Sequence, residues 1–177
     1  MSVYSSLKEK ITETTSTNPI NEYGLSKLWG ERIIQRNCKS YTIFRISSII
    51  GVGMKSNTFI PLIIDKALKD KKIILFGNGS RLQNYIDVFD LCNLVERSFC
   101  YDKNDLLLAV GEVSYSNRQV AETIKSIIPV DIEYKGTDNS ISHEYDSNYT
   151  NRVLNFYCKK NIETSIKEII QWKKKLY

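Results

Sequence analysis

The sequence contains a single histidine, His143. That argues against a His-based catalytic triad and against a metal centre built from several imidazoles. Cysteine is sparse too. Cys38, Cys92, Cys100 and Cys158 form no C-x-x-C pair, so the plain reading is reduced thiols in a cytoplasmic protein. No apolar run reaches membrane-spanning length, and stretches such as 59–64 are far too short. The first ten residues lack the apolar segment of a secretory signal. Low-complexity tracts, internal repeats and linkers are also missing. Charge of one sign is not concentrated: 25 basic and 20 acidic residues leave a net +5 that is scattered. The basic clusters, 69–72 and 173–175, fall where helices should end and where cations favour the helix dipole. A nucleic-acid binder gathers its excess into a patch or stripe, so neither nucleic acid nor membrane is expected as a partner.

What is present is an ordinary globular balance, 42% hydrophobic and 25% charged over 177 residues. A chain of that size can bury a core without disulfides or metals. Residues 1–20 read as strand end and loop, with a turn at Asn18-Pro19. Leu25, Leu28, Trp29, Ile33 and Ile34 recur at helical spacing and predict a helix over 23–37. Short apolar runs predict strands at 41–46, 72–76, 106–110 and 129–134, with an extended piece at 84–88. Helices are expected over 58–68, 90–100, 116–127 and 162–175, with Ser116, Asp90 and Thr164 as caps. Residues 135–148 read as a polar loop. Strands alternating with helices at this spacing mean α/β architecture with parallel pairing.

Tyr23-Gly24-Leu25-Ser26-Lys27 is the informative stretch. Tyr23 and Lys27 are four apart and share a helix face. A phenol ionises near ~10 and is a poor base at neutral pH. A neighbouring ammonium favours the phenolate, which makes the pair a usable general acid/base. The lysine, with three donors, can also hold a ribose hydroxyl. Taken alone, the spacing also fits two ordinary surface residues.

The run from Thr12 to Glu31 resembles the active-site helix of extended short-chain dehydrogenases, the NAD-dependent epimerase/dehydratase family. That pattern reads T-E, then N-P, then Y-G-x-S-K-x-x-x-E. The stretch 44–53 resembles the family's strand and loop past the nicotinamide, and 76–90 its "G-x-G…R-D-F-x-x-V-x-D" segment. Tyr145-Asp146-Ser147 and the closing helix to Trp172 fit its C-terminus. The implied fold is a partial Rossmann-like doubly wound α/β fold plus a small α/β substrate-binding lobe. Residues 1–55 and 84–111 would be the dinucleotide-binding remnant, and 56–83 and 112–177 the substrate lobe.

The resemblance implies an NAD(P)-dependent nucleotide-sugar epimerase or reductase of polysaccharide biosynthesis. Tyr23 would take a proton from a sugar hydroxyl, and Lys27 would grip the nicotinamide ribose. Ser48 would also touch the cofactor, NAD or NADP. Asn57 and Thr58 would meet the nucleotide-sugar substrate, with a simple helix cap as the alternative for Asn57. Gln83 stands where many members carry an arginine on the diphosphate, and a neutral amide is a weaker anion ligand. Arg81 and Arg152 are candidate replacements, or else solvated surface arginines.

The family holds its dinucleotide on a Gly-rich turn opening the first βαβ unit. No such turn exists here: Gly51/Gly53 and Gly77/Gly79 each lack the third glycine. An acid for the adenine ribose is likewise unplaced. The resemblance therefore implies a C-terminal portion without its N-terminal half, and a homodimer through the Tyr/Lys helix is possible. The family's catalytic Ser/Thr would fall just ahead of Met1, with Ser2, Ser5 and Ser6 near but out of register. Met1-Ser2 occupies the place of the 4,6-dehydratase Asp-Glu pair, which favours an epimerase or reductase. Isolated, the chain is expected to associate or to need a separately encoded N-terminal half. The alternative function is a non-catalytic remnant or binding module of the same family.

Overall fold

The computed structural model describes residues 2–5 and 9–176. Ser6, one of the hydroxyls considered near the site, and Met1 lie outside the described residues. The first helix, α1 (Glu22–Asn37), starts where Asn21 accepts a 2.8 Å hydrogen bond from the Gly24 N–H. It stops at Cys38, whose N–H still bonds back to Ile34. Gly24 is its only buried residue. Most of the apolar stripe that announced the helix therefore stands off the described core, with Trp29 64% and Ile33 54% exposed, while Leu28 packs against Val3, Tyr4 and Ile11.

Eight strand residues follow, divided between two sheets. Strand β1 (Thr42–Ile46) pairs in parallel with β5 (Asp105–Ala109), in register from Thr42 opposite Asp105 to Ile46 opposite Ala109. Ser47 donates its N–H to Ala109 and ends that ladder. Strand β2 (Ser48–Ile50) then pairs with β4 (Leu82–Asp87), again in parallel. The chain thus changes partner at Ser47, a break invisible in a continuous apolar run. Strand β4 is flanked on its other side by antiparallel β6 (Ser114–Ser116). Strand β3 (Lys72–Phe76) pairs in parallel with β7 (Asp131–Lys135). The buried Asn84 fastens β4 to the turn after β5, donating to Gly111 O and Val113 O and accepting from Gly111 N. A Cβ on Gly111 would stand 2.0 Å from the Tyr85 carbonyl oxygen, so only glycine fits there.

The remaining helices are α2 (Phe59–Asp70), α3 (Val88–Ser98), α4 (Asn117–Lys125), α5 (Asn148–Val153) and α6 (Ile162–Lys174). Ser116 caps α4 as expected, and with Gln119 forms a complete capping box. Two caps differ from expectation. Asp87, not Asp90, caps α3 by accepting from Phe89 N. Asp90, one turn in, instead accepts from Lys159 N and Lys160 N, tying α3 to the segment ahead of α6. Asn161, not Thr164, caps α6, and Thr164 N is its donor. Helix α5 lies beyond the expected polar loop and carries no apolar stripe.

Two larger apolar cores result, and a small third cluster of Val3, Tyr4 and Ile11 packs with Leu28 and Tyr145. One gathers α2, β3, α4 and α6 around Ile64, Ile73, Ile124 and Ile166. The other lies between β1, β5, α3 and the segment after α5, around Leu94, Leu107 and Phe156. Among the described residues no helix is long and apolar enough to cross a membrane. The four cysteines are unpaired.

Candidate functional site

Tyr23, Lys27 and Glu31 recur every four residues of α1 and line one cleft of about 490 Å³ with Arg45, Ser47 and Ser2. The Lys27 ammonium sits 5.1 Å from the centre of the Tyr23 ring, so the two side chains meet as the i, i+4 spacing requires. The Tyr23 side chain is 63% exposed, not sealed by the chain's own packing. Gly24 sets the helix's approach: a Cβ there would stand 2.1 Å from the Ser2 carbonyl oxygen. The glycine after the tyrosine is thus a contact requirement, which lets the start of α1 lie on the N-terminal turn.

Arg45 on β1 holds α1 from the other side. Its Nε and Nη2 donate to the two Glu31 carboxylate oxygens at 2.9 and 2.7 Å, and its Nη1 donates to the Tyr4 hydroxyl at 2.6 Å. Burial raises the Tyr4 phenol above its ordinary ionisation range, against the pull of Arg45. Glu31 was visible as the last position of the motif. Arg45 was not, because an arginine inside a strand gives no sign of what it faces.

A second cleft, about 470 Å³, adjoins the first, and Ser2 and Ser47 line both. Its walls include Ser48, Arg81, Gln83, Asn84, His143 and Tyr145. Arg81 is anchored by a donation from Nε to Ile141 O. Gln83 donates to the buried Asn117 at 2.7 Å, so its amide is already engaged. Burial, with the positive charge of Arg81 adding to it, holds the His143 imidazole below its usual ionisation range.

Of the expected site residues, Tyr23 and Lys27 meet on the first cleft, and Ser48, Arg81 and Gln83 line the second. Asn57 and Thr58 lie on the exposed approach to α2 and line neither. Thr58, not Asn57, is the cap residue there, and its hydroxyl turns back to Lys55 O. Arg152 stands on α5 over the Tyr149 ring, 5.8 Å from its centre, and lines neither cleft. Ser5 accepts from Asn18 instead of facing either cleft. Among the described residues no group of acidic, histidine and cysteine side chains is placed to hold a metal.

Mostly parallel strand pairs alternating with helices make a Rossmann-like α/β arrangement, in which the tyrosine and the lysine share a cleft one helical turn apart. Residues 1–99 match the model of the NAD dependent epimerase/dehydratase family, and the chain belongs to that family. GDP-6-deoxy-D-talose 4-dehydrogenase from Aggregatibacter actinomycetemcomitans is 25% identical, over 76% of this chain and 47% of its own length. UDP-glucose 4-epimerase from Lactobacillus helveticus is 27% identical, over 94% of this chain and 59% of its own. The chain thus spans about half to three-fifths of the length of these relatives. UDP-glucuronic acid 4-epimerase from Bacillus cereus, solved in complex with NAD, superposes with a TM-score of 0.87 at 18% identity. It covers 99% of this chain and 60% of that one. The shared fold is therefore Rossmann-like.

Proposed function

We propose that these residues form the proton-transfer and substrate-binding part of an NAD(P)-dependent nucleotide-sugar epimerase or reductase. The observation that carries this reading is the exposed Tyr23–Lys27 pair on a cleft that runs, past Ser47, into a second cleft lined by Arg81. The geometry fits one end of the cofactor. An exposed phenol and ammonium suit a nicotinamide ribose, whereas no Gly-rich pyrophosphate turn occurs in the sequence. When bound, the nicotinamide supplies hydride chemistry.

The chain's own residues do the rest. Tyr23 Oη accepts the proton of the sugar hydroxyl being oxidised and returns it on reduction. Lys27 Nζ donates to a ribose hydroxyl. Glu31 and Arg45 fix the helix that carries both. Arg81 offers its guanidinium to the diphosphate, while Gln83 stays tied to Asn117 and shapes the floor. The pyrophosphate turn comes from a further Rossmann segment, in the same polypeptide or in a second chain. We assign the β1–β5 core to the dinucleotide-binding part, and α2, β3, α4, β7 and α6 to the substrate lobe. Leu154 and Phe156 pack in the core of the former. A cytoplasmic setting suits the free thiols, and a second copy of the chain suits the exposed stripe of α1.

The test is turnover of UDP-glucose with NAD by the full chain, alone and mixed with a Gly-rich Rossmann segment. Turnover lost in Tyr23→Phe supports the reading. Binding of the nucleotide sugar without turnover in either mixture supports the binding-module alternative, and the catalytic reading falls.

A further inference from the structure

Among the described residues, three side-chain polar atoms are buried with no hydrogen-bond partner: Ser47 Oγ, Tyr85 OH and His143 Nδ1. Such an atom forgoes the hydrogen bond that buried polar groups almost always make, so each calls for a reason. Two of the three belong to residues on the wall of one cleft. Ser47 also lines the Tyr23–Lys27 cleft, so it stands where the two meet. It is in addition the residue at which the chain leaves β5 and takes up β4. In open α/β sheets, ligands bind beyond the carboxyl ends of the strands, and Ser47 directly follows the last residue of β1.

We infer that Ser47 and His143 are sugar-contacting residues, gripping hydroxyls of the nucleotide sugar at the junction of the two clefts. This rests on the functional reading above and adds to it the pair that holds the sugar.

The division of labour follows from chemistry. Arg81, a permanent cation, matches a diphosphate. A serine hydroxyl and a neutral imidazole match neutral hydroxyls, to which each can donate or accept. Burial keeps the imidazole uncharged at neutral pH. The sugar must reach Tyr23, and Ser47, with Ser2, lines both clefts along that path. Both atoms are withdrawn from solvent in the open cleft. One torsion of the serine, or one turn of the imidazole ring, brings the polar atom to a ligand on the rotamer timescale. The cost of leaving them unpaired is then recovered only when sugar is bound.

The experiment compares binding of UDP-glucose and of UDP to the full chain by calorimetry, for the native protein, Ser47→Ala, His143→Gln and His143→Phe. Each variant should weaken UDP-glucose about tenfold, the equivalent of one hydrogen bond, and leave UDP unchanged. Ser47→Ala should melt at the same temperature or higher, because it deletes an unpaired buried hydroxyl. A merely structural serine would lower it. Should His143→Phe fail to fold, His143→Gln still reports on the imidazole. If the native chain binds UDP-glucose and the variants bind it equally well, the inference is wrong and the functional reading stands. Equal losses for UDP and UDP-glucose also overturn it. A native chain that binds neither ligand removes the functional reading and the inference with it.

Discussion

Removing the Glu31 carboxylate should destabilise the protein far more than an ordinary helix-surface mutation does. Arg45 and Glu31 are 8% and 11% exposed as side chains, and the contact is bidentate. Breaking a buried pair from one side leaves an uncompensated charge and costs about 3–5 kcal/mol. Among the described residues, Arg45 would keep only the Tyr4 hydroxyl as a side-chain partner. Glu31→Leu should therefore lose about 3 kcal/mol or more in urea unfolding, with an unchanged m-value. The double variant Arg45→Met/Glu31→Leu should recover most of the loss, because apolar groups of similar volume need no desolvation of charge. The cycle isolates the coupling between the two side chains. A single-variant cost below about 1 kcal/mol, the range of exposed ion pairs, would refute the argument that this contact is buried and holds α1 to the sheet.

Three further outcomes are expected. Gly24→Ala should cost about 1–3 kcal/mol by overpacking and displace the start of α1 from the N-terminal turn, seen as shifted amide resonances of Ser2 and Val3, whereas Gly30→Ala, with nothing near its added Cβ, should be neutral or stabilising. Lys173→Met should cost about 3 kcal/mol, because the Lys173 ammonium lies 2.7 Å from both Asp65 carboxylate oxygens and 2.9 Å from Ser56 Oγ, while Lys174→Met on the exposed face should cost almost nothing in thermal denaturation. His143 ionises below its free value, so the unfolded chain takes up a proton that the folded chain refuses; the His143 contribution to stability should be flat above about pH 6.5 and fall as pH drops from there towards the lower folded value. His143→Gln should flatten that limb of a Tm-against-pH curve.

The elements that announce themselves locally were legible. Ser116 followed by Gln119 marks a capping box, and the apolar run Ile73-Ile74-Leu75-Phe76, closed by Gly77, gives that strand its bounds. Asp87 and Asp90 both precede a turn of α3, and sequence cannot tell which faces the helix N–H groups and which faces residues 159–160. Asn161 and Thr164 pose the same choice at α6. The α1 pattern is correct as a helix signal but silent on what the stripe faces. Lys173 sits in a basic run that reads as solvated, yet it is buried against Asp65. For the site, the Tyr-x-x-x-Lys spacing carries its own geometry. Ser47 and His143 carried no signal, because a missing hydrogen-bond partner is a property of three-dimensional packing alone.

A ribbon of nine residues that belongs to two ladders couples them mechanically. Residues 42–46 are bonded to one neighbour and 48–50 to another, with a single residue between, so neither half can swing without pulling on its counterpart. The stretch works as a splice rather than a hinge. Heating should therefore dissolve both cores together, as one calorimetric peak whose enthalpy equals its van't Hoff value.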